Sequence, residues 1–443
     1  MTTQRYGDLE LRFTPDIRRV WPNVMPGVRH DSAIYAANEP MRDGWGRAAH
    51  HFGPPLTAGG LPRDGAALLL RDLSADRSML RPPVRYDRIG DLPQDVSVGI
   101  WRPVPPDGYI ALGDIVATNA PHPDFGSFPV VCVKREHNGR LYVRRGEFGD
   151  RLLESGNMRL WSVVAPQQSN QDTEERLLVP PGGFTAVFTA DRPSSTPTGW
   201  VLDLPAVVER RPGPGVPRLT SFDRPPAQTT VTDRTVTVPY FMVEDPVRDA
   251  HWQIRNSPFY RIRRLRRFDV ALFRDNRNGT VQQEQSEAVT TGVSREDSTA
   301  FNVTTGISVG VAVGIEVSAK PFGMGVSGTT TYSVSATVEL GYERRRSVTV
   351  MNEVTRTYGL AVPPRSSGCL WMEHHQLVPV RADGTELGPR ASLGFRTDHY
   401  VTGEFPGGAG VRAFTEEDGG ERTPLPDSIP PTVITTATED DPS

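Results

Sequence analysis

The chain has 443 residues, 37% of them hydrophobic, and a formal net charge of −4. That is long enough for two or three domains with real cores and too apolar for wholesale disorder, and the balance of charge supplies no basic field for nucleic acid. With 42 Gly and 41 Pro, plentiful Thr, Ser and Val, and few strong helix formers, the composition predicts a mainly β fold of short strands joined by turns.

The opening Met1-Thr2-Thr3-Gln4-Arg5 lacks the basic start and apolar run of a secretory signal, and no run of 18 apolar residues follows anywhere. Lysine occurs only at Lys134 and Lys320, with arginine supplying the other basic side chains, a skew expected of a GC-rich bacterial genome. Synthesis in a bacterial cytoplasm without a signal peptide is expected, the product being a soluble monomer or cargo that acts after release.

In the N-terminal half, the run D-V-S-V-G-I-W-R-P-V-P-P-D-G-Y-I-A-L-G-D extends from Asp95 to Asp114. A fainter echo follows, Trp161 and then Pro180 to Val187 matching Trp101 and then Pro105 to Leu112, so an internal repeat of β units is expected. The run resembles the signature of the vacuolar protein sorting protein 62 family, departing from it by the inserted Gly99 and the weaker second copy. That resemblance implies a recognition or scaffolding module over residues 1–210 and carries no reaction with it. Trp101, Arg102 and Tyr109 are candidate binding-surface residues, since aromatic and Arg side chains near turns build such patches. The plainer reading makes them core anchors beside the turn formers Pro105, Pro106 and Gly108.

Residues 211–227 are Pro-rich, which bars a helix or a central strand, and are read as a linker. Beyond it, the basic run Arg261, Arg263, Arg264, Arg266, Arg267 beside Trp252, Phe259 and Tyr260 is a second candidate surface, suited to anionic head groups. The plainer reading is a solvated strand edge that discourages aggregation.

The chain's most informative segment is 301–343. Odd positions Phe301, Val303, Ile307, Val309, Val311, Val313, Ile315, Val317 and Ala319 are apolar, while the even positions between them are small or polar, including Ser308, Gly310, Glu316 and Lys320. After Pro321 the phase switches: Phe322, Met324, Val326, Tyr332, Val334, Val338 and Leu340 are apolar against Ser327, Thr329, Thr331, Ser333 and Glu339. Side chains on a strand alternate between faces, so a hairpin turning at Pro321-Phe322, with Ala319 opposite Met324, gathers every aliphatic group on one side. Each arm spans on the order of 65 Å at ~3.3 Å per residue, where ordinary strands run about five or six residues and a tilted membrane strand needs ~9–11. Backbone groups in lipid must all be paired, so such hairpins cross a bilayer only as a closed barrel, and oligomerisation follows.

Polar residues 281–300 and the stretch 347–360 bracket this hairpin. The arrangement resembles aerolysin-type and epsilon-toxin-type β-pore-forming proteins, which implies an elongated β domain over 228–403 and a homo-oligomer inserted in a target membrane, with a receptor as a further candidate partner. The alternative is a non-lytic binding or structural β protein, such as a secretion-system cargo or adaptor. Residues 404–443 turn to Gly, Pro and acidic groups and are expected to be a disordered tail that screens the basic run.

No enzyme is expected. Gly306-Ile307-Ser308-Val309-Gly310 fits a nucleophile-elbow pattern and Gly323 to Gly328 a dinucleotide pattern, but both lie inside unbroken strand alternation with no helix to follow. The pairs His50-His51 and His374-His375 point to opposite faces of a strand, and Cys132 and Cys369 are far apart, so neither a metal site nor a disulfide framework is expected, and no cofactor.

Overall fold

A computed structural model describes residues 2–22, 33–38, 43–53, 66–92, 95–118, 129–155, 157–166, 176–188, 197–243, 245–305, 318–319, 330–331, 353–416 and 422–425. The chain is mostly β, as the composition predicts.

After β1 (Gln4–Tyr6), the N-terminal half repeats one six-strand pattern three times. The first copy is β2 (Leu9–Thr14), β3 (Ile17–Pro22), β4 (Ala33–Ala37), β5 (Trp45–Arg47), β6 (His51–Gly53) and β7 (Ala67–Asp72). The second is β8 (Leu80–Arg81), β9 (Arg85–Leu92), β10 (Asp95–Val104), β11 (Tyr109–Ile110), β12 (Ile115–Thr118) and β13 (Cys132–Lys134). A short hairpin, β14 (Glu136–His137) and β15 (Arg140–Leu141), leads to the third: β16 (Val143–Arg145), β17 (Glu147–Ser155), β18 (Met158–Val164), β19 (Arg176–Val179), β20 (Phe184–Val187) and β21 (Trp200–Pro205). In each copy the second and third strands form a hairpin, the fifth pairs with the third, and the last pairs with both the first and the fourth.

Register makes the copies superposable residue by residue. Tyr35 opposite His51, Trp101 opposite Ile115 and Trp161 opposite Thr185 are equivalent pairs. One residue earlier, Ile34, Ile100 and Leu160 are all fully buried in a single cluster with Val116 and Ala186. Two residues before the paired partners stand Ala49, Gly113 and Gly183, which converge. A Cβ on Gly183 would lie 2.7 Å from the Ala49 Cβ, so the third copy can approach the first only through glycine. The repeat seen in the sequence is thus real, and Trp101 and Trp161 are its equivalents. Its second part is shifted by five residues, however: Thr185 matches Ile115 and not Ile110. The Pro-Pro-x-Gly turns misled the alignment because the first precedes β11 and the other precedes β20. The first copy carries Tyr35 where the others carry Trp101 and Trp161.

The C-terminal half adds β22 (Val207–Arg210), β23 (Val231–Pro239), α1 (Ala250–Asn256), β24 (Phe259–Asp275), β25 (Gln283–Thr291), α2 (Arg295–Thr305), β26 (Ser318–Ala319), β27 (Thr330–Thr331), β28 (Val354–Val362), β29 (Ser367–Val380), β30 (Leu393–Phe405), β31 (Arg412–Glu416) and β32 (Arg422–Pro424). One sheet runs β22-β23-β24-β29-β30 and another β25-β28-β31-β32. The halves share a core: the Phe13 ring lies 5.4 Å from Tyr240, 5.9 Å from Phe241 and 5.5 Å from Phe259.

Two expectations need correction. The Pro-rich stretch 211–227 is not a free spacer: Leu219 is buried with Phe268, Trp371 and Val401, and Phe222 meets Phe405 edge to face at 4.9 Å. Proline bars this segment from the sheet's hydrogen bonding but not from covering its face. The region from Glu404 onward is not wholly disordered either, since β30 continues to Phe405, β31 pairs along β28, and β32 pairs with β31. Ala413 and Leu425 pack into the same cluster as Leu360. These few apolar side chains were outweighed in the composition by the acidic residues around them.

Candidate functional site

The strands that lead into and out of residues 301–343 are paired with each other. β25 and β28 run antiparallel from Gln283 opposite Val362 to Thr291 opposite Val354, every odd-numbered residue facing an even-numbered one. Odd residues of β25 and even residues of β28 therefore share a face. On it Val289, Tyr358, Leu360 and Val362 join Leu272, Leu370, Met372 and Tyr400 in one apolar cluster. This is the parity of the apolar stripes further along, odd from 301 to 319 and even from 322 to 342.

Between β25 and the first arm the structure differs from expectation. Phe301 to Thr305 are helical, not extended, as the last part of α2. The Ser294 hydroxyl accepts a hydrogen bond from the Asp297 backbone N–H at 2.9 Å and donates to its carboxylate at 2.8 Å, and Glu296 and Asp297 in the first turn complement the helix dipole. This cap outweighs an alternation that has only Phe301 and Val303 to show within these five residues. α2 packs on β30 and on the short turn Pro389–Ala391, and Phe301, 2% exposed, joins the main core with Val293, Leu387, Ala391 and Leu393.

The turn also differs. Ser318 pairs with Thr331 and Ala319 with Thr330, so Ala319 does not face Met324. Odd still faces even, which is the property that keeps each stripe on one side. Of the residues assigned to the two faces of the hairpin, Phe301 and Val303 fall in α2, Ala319 in β26 and Thr331 in β27; the others lie outside the described residues.

Among the candidate surface residues, Arg102 forms a two-point ion pair with Asp114, at 2.8 and 2.7 Å, and donates to the Ala186 carbonyl at 2.7 Å, tying the second repeat to the third. The Tyr109 hydroxyl donates to the Ser78 carbonyl, and Trp101 is half-buried in β10. Along β24 the basic run is largely neutralised. Arg264 holds Asp233 at 2.9 and 2.6 Å, Arg266 joins Asp233 at 2.7 Å and Glu373 at 2.6 Å, and Arg267 pairs with Asp269 at 2.6 Å. Arg261 reaches the Ala382 carbonyl at 3.4 Å, and Arg263 alone of the five makes no ion pair or hydrogen bond among the described residues. Arg264 and Arg266 are taken out of the basic run by Asp233 and Glu373, which come from the flanking strands β23 and β29, distant in sequence.

Glu373 is the centre of a buried network that the sequence did not announce. One carboxylate oxygen takes Arg266; the other lies 3.0 Å from His399 Nδ1 and 3.3 Å from His375 Nε2. Burial alone would raise its pKa, but the adjacent imidazoles of His375 and His399 and the charge of Arg266 prevail and hold it well below the usual carboxylate range. Burial lowers the pKa of His375, against the pull of Glu373. Burial pushes the Cys132 thiol up to about 12 and raises that of Cys369, and both cysteines are free. No group of three His, Cys, Asp or Glu among the described residues is placed to hold a metal ion. Nor is any helix among them long and apolar enough to cross a membrane, which leaves crossing by strands open.

Residues 232–390 match the sequence profile of the family described as insecticidal crystal toxin, P42, a match that runs from β23 to the short turn Pro389–Ala391 and does not reach Asp95–Asp114. Among solved structures, the chain is similar to Cry35Ab1 at 13% identity over 91% of each chain, with a TM-score of 0.33. It is also similar to GNIP1Aa from Chromobacterium piscinae at 20% identity, covering 42% of this chain and 34% of that one, with a TM-score of 0.31, so that it spans about a third of that protein's length. No curated protein matches the sequence.

Proposed function

We propose that the chain is an insecticidal, β-pore-forming toxin-like protein that oligomerises and inserts a β-barrel built from residues 301–343 of each copy into a target membrane. The observation that carries this reading is the pairing of β25 with β28: two strands joined in an odd-to-even register, with their apolar face in phase with stripes too long for an ordinary sheet. A barrel formed by extending this pair satisfies every backbone group in lipid while turning the small and polar residues inward. The match of residues 232–390 to a crystal-toxin family supports the insecticidal part of the proposal. In this reading the threefold head supplies recognition, and the chain acts without catalysis.

Release of a trapped dye from liposomes tests the proposal. Leakage that rises steeply with protein concentration, together with ring-sized oligomers on the membrane, is the expected result. Binding without leakage across lipid compositions and insect midgut vesicles returns the chain to the class of non-lytic binding proteins.

A further inference from the structure

The pore-forming reading leaves one arm of the hairpin starting from the wrong conformation, and the described residues show why. The end of β25 buries its odd positions: Val289 is 4% exposed and Thr291 6%, and Val293 just beyond is 2% exposed. The apolar stripe at Phe301 and Val303 is also odd. If 292–305 were extended, a single strand would run from Gln283 through the arm without a change of phase, and the polar residues 295–300 would form a stem above the lipid. In the structure the same residues are instead wound into α2.

The helix is held by three things. The Ser294 cap closes its first turn, the buried Ser298 and Phe301, three residues apart, form its inner face, and Phe301 is set into the core beside Ala391 and Leu393. The sequence is otherwise poorly suited to a helix: Thr299, Val303, Thr304 and Thr305 are β-branched and favour strands. Thr299 also turns its hydroxyl back to the Arg295 carbonyl at 2.7 Å, a bond that competes weakly with helix geometry.

We propose that α2 is a latch: docked as a helix through Phe301, it holds the first arm of the hairpin short of its strand conformation, and its unwinding into an extension of β25 permits insertion. This rests on the pore-forming reading and adds to it the element that must change.

Two substitutions on the latch act in opposite directions. Ser294→Ala removes the cap and is expected to speed dye release about fivefold, the change that loss of a helix cap typically makes in an equilibrium. Thr299→Ala, at an exposed position, raises helix propensity, lowers strand propensity and is expected to slow release by a factor of about two to three. Hydrogen exchange of amides 295–305 in the soluble protein is measured on both: faster in the first and slower in the second. Opposite shifts in leakage that follow the shifts in exchange support the latch. Exchange that shifts as designed with leakage unchanged overturns the latch and leaves the pore standing. A native chain that releases no dye removes the pore reading and the latch together. For chains caught on liposomes, continued protection of 295–305 as a helix also overturns it.

Discussion

The ring of Phe414 covers Gly359. The two are register partners on β31 and β28, and a Cβ on Gly359 would sit 2.2 Å from the ring. Arg422 in turn stacks over Phe414 at 4.7 Å and reaches Glu284 of β25 at 2.8 Å, so that a residue of β32 is fastened to the pair that frames the hairpin. Gly359→Ala forces the ring away and should destabilise the fold by about 1–3 kcal/mol, as overpacking does. In the background of Phe414→Ala the same change should cost little, because the obstructing ring is gone. Denaturant melts of the four proteins of this cycle measure the coupling, and purely additive losses would refute the contact.

A second consequence concerns where the chain can be shortened. Ending it after Leu425 removes none of the described strands and should leave the melting temperature unchanged. Ending it after Phe405 strips β31 and β32 from β28 and uncovers Leu360 and Val289, so the melting temperature should fall. Thermal melts of the two truncations decide this, and equal melting would show that β31 contributes nothing to the sheet.

Much of the fold was legible because it is written locally. The β class follows from composition, and the odd-to-even rule for the hairpin survives in both pairs that the structure describes, Thr291 with Val354 and Ala319 with Thr330. What could not be read depends on contacts between distant residues. Asp233 and Glu373 turn the β24 arginines from an apparent surface into an ion-paired interior, Leu219 pulls a proline-rich stretch onto the sheet, and Phe13 joins the head to the core of the second half. The helix α2 is the intermediate case. Its capping residues Ser294 and Asp297 were present in the sequence at the right spacing, but a longer-range alternation hid them.

Acidification should loosen the β24-β29-β30 network in two stages. His375 has a folded pKa below its ordinary value, so the unfolded chain takes up its proton first, and stability falls as pH drops from about 6.5 toward the folded value. Glu373 is depressed as well, and its contribution, complete above about 4.5, is lost as pH falls further. Both terms therefore make the protein less stable in acid. His375→Gln should flatten the upper part of the pH–stability curve. Glu373→Gln should lower stability at neutral pH, by less than the roughly 3–5 kcal/mol of a buried charge left unpaired, because Arg266 loses one of its two buried carboxylates and keeps Asp233. Melting temperatures across pH 4 to 8 check the signs, and a native protein that gains stability on acidification would contradict them.

The hairpin faces make the sharpest prediction. If the odd face of 301–319 meets lipid, Asp at Val311 or Val313 should block insertion at a cost of about 2 kcal/mol or more near mid-bilayer. Asp at Ser308 or Gly310, on the pore side, should leave insertion intact and shift the channel toward cations. In a strand that continues either of the described odd-to-even pairings these odd and even positions would fall on opposite faces, because a shift by an even number of residues leaves parity unchanged. A hairpin that served only as part of a soluble sheet would behave differently: Val311→Asp and Val313→Asp would lower solution stability before any membrane was present. Solution melting and liposome leakage on the same four variants separate the cases. Normal melting with leakage lost only at the odd sites is the outcome expected of a pore, whereas equal tolerance at odd and even sites would refute both the register and the function built on it.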